Sequence, residues 1–185
     1  MTRRLLKPRQ CCVQIIDPQA SLMNHIHEAD RVVQAMGQVI ECAGVLNLPV
    51  FGNTQYKKGL GPYVEEIEKK MAGVACFDKT SFSALGSEET GKFLTSLPET
   101  VSTVILAGVE THICVYQTAM SLLDMGLTPW VVGDGVSSRS PLNHELGLRR
   151  LEQAGCIVGP AEMIIYELLG RAGTAEFKAM LPHIL

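Results

Sequence analysis

The sequence has no apolar run that approaches the roughly 18 residues needed to span a bilayer as a helix. Its basic start, MTRRLLKPRQ, is not followed by the hydrophobic region of a secretory signal peptide. Charge of one sign is not in large excess either, because 16 basic and 19 acidic residues give a formal net charge of −3. Such a chain has no general attraction to nucleic acid or acidic membranes. These absences predict a cytoplasmic protein whose partner is a small molecule, with no nucleic acid and no membrane involved.

The cysteines and histidines lack the spacing of a disulfide framework or a metal site. Six cysteines are scattered along the chain with no CxxC pair and no regular interval. Most of them lie in apolar segments, which is typical of buried thiols. Four of the histidines, at positions 25, 27, 144 and 183, show no metal-ligand spacing. The sequence therefore predicts no metal and no other cofactor.

A single domain covering residues 1–185 is expected. The length suffices for one substantial core, 46% of the residues are hydrophobic, and no repeat or low-complexity linker divides the chain. Short apolar runs rich in β-forming residues alternate with segments of helical periodicity. The predicted strands are Cys11–Asp17, Pro49–Asn53, Ala75–Phe77, Val101–Ala107, Pro129–Val132 and Cys156–Val158.

The predicted helices fill the intervals between these strands. They are marked by apolar stripes at spacings of three and four residues, or by capping residues at their ends. They comprise Ala29–Gly44, His112–Met125, a helix capped by Ser140 with Pro141 at its first position and Gly155 past its end, Glu162–Leu169 and Ala175–Leu181. Alternating strands and helices imply parallel βαβ units with right-handed crossovers. The expected fold is therefore an α/β three-layer sandwich.

Residues that can carry out chemistry follow three of the predicted strands. Asp17 ends the first strand, Lys79 lies just beyond the third, and a turn at Gly108–Thr111 leads from the fourth to Cys114. In a parallel sheet, ligands bind where the carboxyl ends of the strands meet. We therefore expect these three side chains to converge on one edge of the sheet.

Cys114 is the candidate nucleophile of this group. With Thr111 as the N-cap of its helix, Cys114 would occupy the third helical position, where free N–H groups and the helix dipole favour a thiolate. Lys79 would add a positive charge, and Asp17 would hold that ammonium and accept the thiol proton. A helix start, a lysine and an aspartate are thus expected to make the thiol nucleophilic.

Each candidate also has a structural interpretation. Cys114 alone fits a small buried apolar residue, Asp17 before a proline fits a turn, and Lys79 alone fits a solvated surface lysine. His112 is a poor partner for the cysteine, because side chains at positions i and i+2 of a helix diverge. Asp134 fits a turn or a helix cap better than a catalyst.

Three motifs resemble the isochorismatase-like cysteine hydrolases, a family that includes nicotinamidases and carbamoyl-amide hydrolases. They are IIDPQASL, FDKTSFSA and LAGVETHICVYQTAMSLLDMGLTPWVVGDGVSSRS, and the likeness covers essentially the whole chain. NTQYKKGLGP and the run from Gly108 through RRLEQAGCIV look most like the isochorismatase domain-containing proteins, one branch of that family. The resemblance implies a Rossmann-like α/β/α sandwich with a mainly parallel six-stranded sheet, and assembly into a homo-oligomer.

The resemblance also implies roles for individual residues. It carries an Asp-Lys-Cys triad onto Asp17, Lys79 and Cys114, and a cis peptide bond onto Val109–Glu110. The backbone N–H groups of Glu110 and Cys114 would form the oxyanion hole.

Acyl transfer is the reaction expected of such a site. Cys114 would attack an amide, ureide or carbamoyl C–N group of a small molecule and form a thioester intermediate. Gln19, Tyr56 and Phe82 are the expected substrate-binding residues. Two functions of other classes stay open: an activated-thiol sensor, and a non-catalytic interaction protein that retains the fold.

The chain departs from two branches of the family it resembles. Nicotinamidases carry an Asp-x-His metal cluster after the second strand, where this chain has Asn53-Thr54-Gln55. Metal-dependent nicotinamidase activity is therefore not expected. Isochorismatases proper often lack the cysteine and use the aspartate as a general acid on a vinyl ether, so Cys114 argues against that chemistry.

Overall fold

The structure, a computed structural model, describes residues 5–184 and contains one six-stranded sheet between two layers of helices. Its strands are β1 Cys11–Ile16, β2 Val50–Gln55, β3 Ala75–Lys79, β4 Thr103–Val109, β5 Thr128–Ser137 and β6 Ile157–Gly159. Neighbouring strands are all parallel, in the order β3-β2-β1-β4-β5-β6. The predicted Rossmann-like α/β/α sandwich is confirmed.

Helices connect the strands and cover both faces of the sheet. They are α1 Ala20–Met23, α2 Ala29–Leu46, α3 Lys57–Leu60, α4 Glu65–Lys70, α5 Glu88–Ser96, α6 Tyr116–Asp124, α7 Pro141–Ala154, α8 Ala161–Leu169 and α9 Ala175–Ile184. The predicted caps of α7 are confirmed, since the Ser140 hydroxyl accepts a hydrogen bond from Asn143 N–H and Gly155 has a φ of 100°. Across residues 5–184, no helix has the length and apolar character needed for crossing a membrane.

The two faces of the sheet have separate apolar cores. Side chains of β1 alternate between them: Val13 and Ile15 join the cluster under α2, α8 and α9, whereas Cys12 and Ile16 join the cluster under α5, α6 and α7. A strand that is buried on both faces reads as a continuous apolar run. The sequences of β1 and β4 are almost continuous apolar runs for this reason.

The main departure from the predicted strands is at β5. The sequence predicts a strand at Pro129–Val132, but β5 continues to Ser137. Its second part contains two glycines, and its register against β4 shifts between Leu106 and Gly108. Glycines and an irregular register remove the periodic apolar pattern that a sequence-based prediction depends on.

The strand order predicts a binding crevice at the carboxyl ends of β1 and β4. These strands are neighbours, but the chain leaves β1 towards β2 on one side and leaves β4 towards β5 on the other. Connections that diverge in this way open a gap between adjacent strand ends, where open α/β sheets bind ligands. Asp17 follows β1 at this point, and the turn that carries Cys114 follows β4.

Candidate active site

Asp17 and Lys79 form a buried ion pair near the carboxyl ends of β1 and β3. β1 ends at Ile16 because Asp17 adopts a φ of 52°. Lys79 is the last residue of β3, two strands away, and its long side chain reaches back towards β1. The distance from Lys79 Nζ to Asp17 Oδ2 is 2.7 Å, and neither side chain is exposed to solvent. The predicted approach of these two residues is therefore observed.

The pKa of Asp17 is raised to about 6. Burial is the main cause, because it disfavours the charged carboxylate, and the nearby Lys79 ammonium opposes it. Only Oδ2 pairs with the lysine; Oδ1 is buried and has no partner with hydrogen-bond geometry within residues 5–184. Asp17 is thus a carboxylate that ionises near pH 6 and keeps one oxygen available to accept a proton.

The Cys114 thiol lies beside this ion pair and is buried. Its pKa is raised to about 12, first by burial and then by the negative charge of Asp17, while Lys79 acts in the opposite direction. The thiol and carboxylate are electrostatically coupled neighbours, but the thiol does not make a well-aligned hydrogen bond to the free oxygen of Asp17. The raised pKa favours the protonated thiol, and the role of Cys114 as nucleophile stays a prediction.

The turn that carries Cys114 differs from the predicted helix start. The sequence predicts a helix over His112–Met125 with Thr111 as its N-cap, but Thr111–Val115 form a π-helical turn and α6 begins at Tyr116. The residue at the N-cap position is Glu110, and its side chain makes no capping hydrogen bond. The Thr111 hydroxyl instead lies 2.9 Å from His144 Nδ1. A π-helical turn has no local sequence signature that distinguishes it from an α-helical start.

The backbone around Glu110 is where the resemblance predicts an oxyanion hole. The Val109–Glu110 peptide bond is cis, as the resemblance implies. The Glu110 carbonyl accepts hydrogen bonds from the N–H groups of Ile113 and Val115 at 3.0 and 3.3 Å, and within residues 5–184 it accepts none from Cys114 N–H. The N–H of Glu110 donates to no acceptor in that part of the chain. Their role towards an oxyanion stays a prediction.

The carboxylate of Glu110 holds the loop that follows β5. Its oxygens accept hydrogen bonds from Arg139 N–H at 2.8 Å and from Arg139 Nε at 3.1 Å. The Glu110 side chain is largely buried, whereas that of Arg139 is exposed. This contact ties the turn before the nucleophile to the loop before α7. Sequence reasoning missed it, because the partners are 29 positions apart.

The three predicted substrate-binding residues occupy different positions. Gln19 is buried, and its amide bonds only to backbone groups: its Nε2 donates to the carbonyls of Gln55 and Gly61, and its Oε1 accepts from Gln55 N–H. Gln19 therefore positions the segment after β2. Tyr56 and Phe82 are half exposed; Tyr56 N–H donates to Lys79 O, Phe82 follows Ser81, and their contact with substrate stays a prediction.

Other titratable residues have structural partners. Asp134 accepts a hydrogen bond from Ala161 N–H at 2.7 Å, so it caps α8 as the capping interpretation expects. His112 Nδ1 lies 2.9 Å from the Ser138 hydroxyl, and this contact directs the ring towards the loop before α7. No group of three or more histidine, cysteine, aspartate or glutamate side chains suited to holding a metal occurs within residues 5–184.

Comparison with known proteins identifies relatives along the whole chain. The isochorismatase domain matches residues 11–163. A secreted isochorismatase effector, Isc1 of Phytophthora sojae, is 36% identical over 97% of this chain and 87% of its own length. Isochorismatase domain-containing protein 2 of Xenopus laevis is 33% identical over 94% of this chain and 82% of its own length.

A solved structure has the same fold. It is described as the MAR1 ribonuclease of Caenorhabditis elegans, and it superimposes with a TM-score of 0.89. The two sequences are 32% identical, and the match covers 98% of this chain and 92% of the other. The likeness therefore extends to the loops and helices around the sheet as well as to its strands.

Proposed function

Because the chain belongs to the isochorismatase family, we propose that it is a cysteine hydrolase that cleaves a C–N bond of a small molecule. The observation that carries this proposal is the fully buried Asp17–Lys79 ion pair beside the Cys114 thiol. A buried charge pair costs desolvation energy and is weak evidence for stability, so its presence beside a nucleophilic group favours a catalytic role. We propose amides, ureides and carbamoyl compounds as the substrate class.

The first step is attack by sulfur on the carbonyl carbon. Asp17 accepts the thiol proton while the Cys114 sulfur forms a bond to that carbon. Since the pKa of the thiol, about 12, lies far above that of the carboxyl group, about 6, proton transfer is unfavourable before substrate binds. It is therefore coupled to the attack. Lys79 holds Asp17 in place and stabilises the negative charge that develops on sulfur.

The second step breaks the C–N bond. The oxyanion of the tetrahedral intermediate is bound by the N–H groups of Glu110 and Cys114. As the intermediate collapses, the leaving nitrogen takes the proton from Asp17 and departs as an amine or ammonia. Cys114 is left as a thioester. Asp17 then accepts a proton from water, which attacks the thioester, and this proton returns to sulfur as the acid product leaves.

Two exposed aromatic side chains follow the ends of β2 and β3. Tyr56 comes directly after β2 and is 50% exposed, and Phe82 comes three residues after Lys79 and is 54% exposed. Because both follow strands that end at the site, we propose that they contact the acyl portion of a small molecule. The reaction as proposed uses no metal and no cofactor.

The test is a hydrolysis screen of small amides, ureides and carbamates that follows the release of ammonia. Turnover is expected in the wild-type protein and is expected to be lost in Cys114→Ala. Cys156→Ala is the matched control, because Cys156 and Cys114 are both 7% exposed and lie in the same apolar cluster. Full turnover in Cys114→Ala would overturn the proposal.

The same proteins separate the rival functions. An activated-thiol sensor would show rapid alkylation of Cys114 by iodoacetamide without turnover of any amide. An interaction protein that retains the fold would show neither property. Because a structural neighbour is described as a ribonuclease, a single-stranded RNA belongs in the screen, and its cleavage by the wild-type protein alone would favour a different reaction. The predicted homo-oligomer is tested on the same samples by light scattering.

A further inference from the structure

Lys79 has a second side-chain partner that the proposed chemistry does not use. The distance from Lys79 Nζ to Gln55 Oε1 is 2.7 Å, equal to its distance from Asp17 Oδ2. A third, longer contact of 3.4 Å joins the ammonium to the Ser81 carbonyl. The three N–H donors of an ammonium group thus have three acceptors, of which only Asp17 is charged. The direction of each lysine N–H is fixed by the protein.

The orientation of the Gln55 amide is itself determined by its other contact. Gln55 Nε2 donates a hydrogen bond to the Thr80 carbonyl at 2.9 Å. A carbonyl can only accept, so the amide nitrogen must face Thr80 and the amide oxygen must face Lys79. A flipped amide would place two donors against the ammonium. Gln55 therefore presents an acceptor to Lys79 and cannot exchange it for a donor.

The backbone of Gln55 is held by a second glutamine. Gln19 Oε1 accepts from Gln55 N–H at 2.7 Å, and Gln19 Nε2 donates to Gln55 O at 3.1 Å. One side-chain amide thus binds both backbone groups of Gln55. Gln19 is fully buried, and its Nε2 also bonds to Gly61 O at 2.8 Å. Hydrogen bonds therefore hold both the backbone and the side chain of Gln55, the last residue of β2.

The geometry points to Gln55 as the positioning residue of Lys79, held in register by Gln19, and this inference rests on the proposed function. A lysine side chain has four flexible methylene groups and loses much rotamer freedom when it is immobilised. One carboxylate would fix the distance of the ammonium from Asp17 but not its direction. The neutral acceptor on Gln55 fixes that direction without adding a negative charge, which would raise the pKa of the Cys114 thiol.

The test measures the thiol directly and so does not depend on knowing the substrate. The rate of alkylation of Cys114 by iodoacetamide is followed over a range of pH, with peptide mapping to separate this thiol from the other cysteines. Gln55→Met removes the acceptor at similar side-chain length, and Gln55→Leu does so with a different shape. In both variants we expect alkylation at neutral pH to slow by about tenfold. A rise of one unit in the thiol pKa lowers the thiolate fraction by that factor.

A double-mutant comparison tells positioning from packing. If Gln55 acts through Lys79, adding Gln55→Met to Lys79→Met causes no further slowing, because residues that act as a unit are not additive. Gln153→Met, on the exposed surface of α7, is the matched control and is expected to leave the alkylation rate unchanged. Circular dichroism establishes that each variant is folded before its rate is compared.

The outcomes distinguish this inference from the proposed function. The positioning role is supported if both Gln55 variants are alkylated more slowly and if Gln55→Met causes no further slowing in the Lys79→Met protein. This conclusion holds even if the wild-type protein hydrolyses no amide in the screen. Unchanged alkylation in a folded Gln55 variant overturns it, and so does equal slowing with and without Lys79. Where turnover is found, Gln55→Met is expected to lower kcat more than it raises KM. It is also expected to move the rise of activity on the acidic side of the pH profile to higher pH.

Discussion

Lys79 Nζ lies 2.7 Å from Asp17 Oδ2, and both side chains are completely buried. Withdrawing two charges from water costs about as much free energy as their attraction returns, so the pair adds little net stability to the fold. Removing one member has a much larger effect, because the other charge is left buried without a partner. The pair is thus weak evidence for stability, and its place beside the Cys114 thiol is the reason for proposing a catalytic role.

The first prediction concerns the stability cost of breaking this pair. Lys79→Met should lower the free energy of unfolding by about 3–5 kcal/mol at neutral pH. Lys92→Met removes a lysine from an exposed ion pair with Glu88. It should change the free energy of unfolding by less than about 0.5 kcal/mol. Urea denaturation of both variants measures the difference. The Lys79 effect should shrink as the pH falls, because Asp17 becomes protonated; equal losses in the two variants would contradict the interpretation.

The second prediction is the pH dependence of the proposed hydrolysis. Asp17 must be ionised to accept the thiol proton, and burial raises its pKa to about 6. A group with a raised pKa is protonated to a higher pH, so kcat/KM should be low in acid, rise through about pH 6 and then level off. No further rise is expected where a free thiol ionises, because the pKa of Cys114 is about 12.

The shape of that profile decides which group limits the rate. If kcat/KM instead rises around the pKa of an ordinary free thiol, ionisation of the thiol limits the rate. That result would contradict the role given to Asp17. Asp134→Asn is a suitable control, since Asp134 caps α8 and takes no part in the proposed chemistry. Its profile should match that of the wild-type protein, measured with the same substrate.

Much of the site could be predicted because its residues follow buried strands. Runs such as Cys11–Ile16 and Thr103–Val109 are apolar on both faces, so their positions and their parallel arrangement are legible in the sequence. Once the strands are placed, the rule for strand ends brings Asp17, Lys79 and Cys114 together. The motif resemblance added the cis bond at Val109–Glu110, which no local pattern indicates.

The supporting contacts could not be predicted in the same way. Gln55 and Lys79 are 24 positions apart, and their contact depends on the register in which β2 pairs with β3. Glutamines are common surface residues, so nothing in the local sequence marks Gln55 as a partner of a buried ammonium. The raised pKa of Cys114 could not be predicted for a related reason: the helix start is visible in the sequence, whereas the desolvation that raises the pKa depends on the packed structure.

The third prediction tests the anchoring of the nucleophile turn. Glu110→Ala removes the carboxylate that accepts Arg139 N–H and should destabilise the protein by about 1–3 kcal/mol, because a backbone donor loses its partner. Arg139→Ala keeps that N–H and removes only an exposed guanidinium, so its effect should be below about 1 kcal/mol. Thermal unfolding gives both values. A larger loss in Arg139→Ala would mean that the exposed ion pair, and not the backbone contact, anchors the turn.

The fourth prediction concerns the close approach of β1 and β4 at the point where the crevice opens. Gly108 has a φ of 130° and pairs with Ile16, and a Cβ at this position would collide with the Ile16 carbonyl oxygen. Ile16 belongs to a central buried strand that has no room to move aside. Gly108→Ala should therefore cost more than about 4 kcal/mol or prevent folding altogether.

A second glycine separates the collision from the backbone strain. Gly126 has a φ of 77° at the end of α6, but a Cβ there would meet nothing within 4 Å. Gly126→Ala should lower the free energy of unfolding by only about 1–2 kcal/mol, because an L-residue is strained in the left-handed conformation. Soluble yield and urea denaturation of the two variants provide the comparison. Similar losses would show that conformation alone accounts for both glycines, and that contact between the strand ends does not shape the crevice.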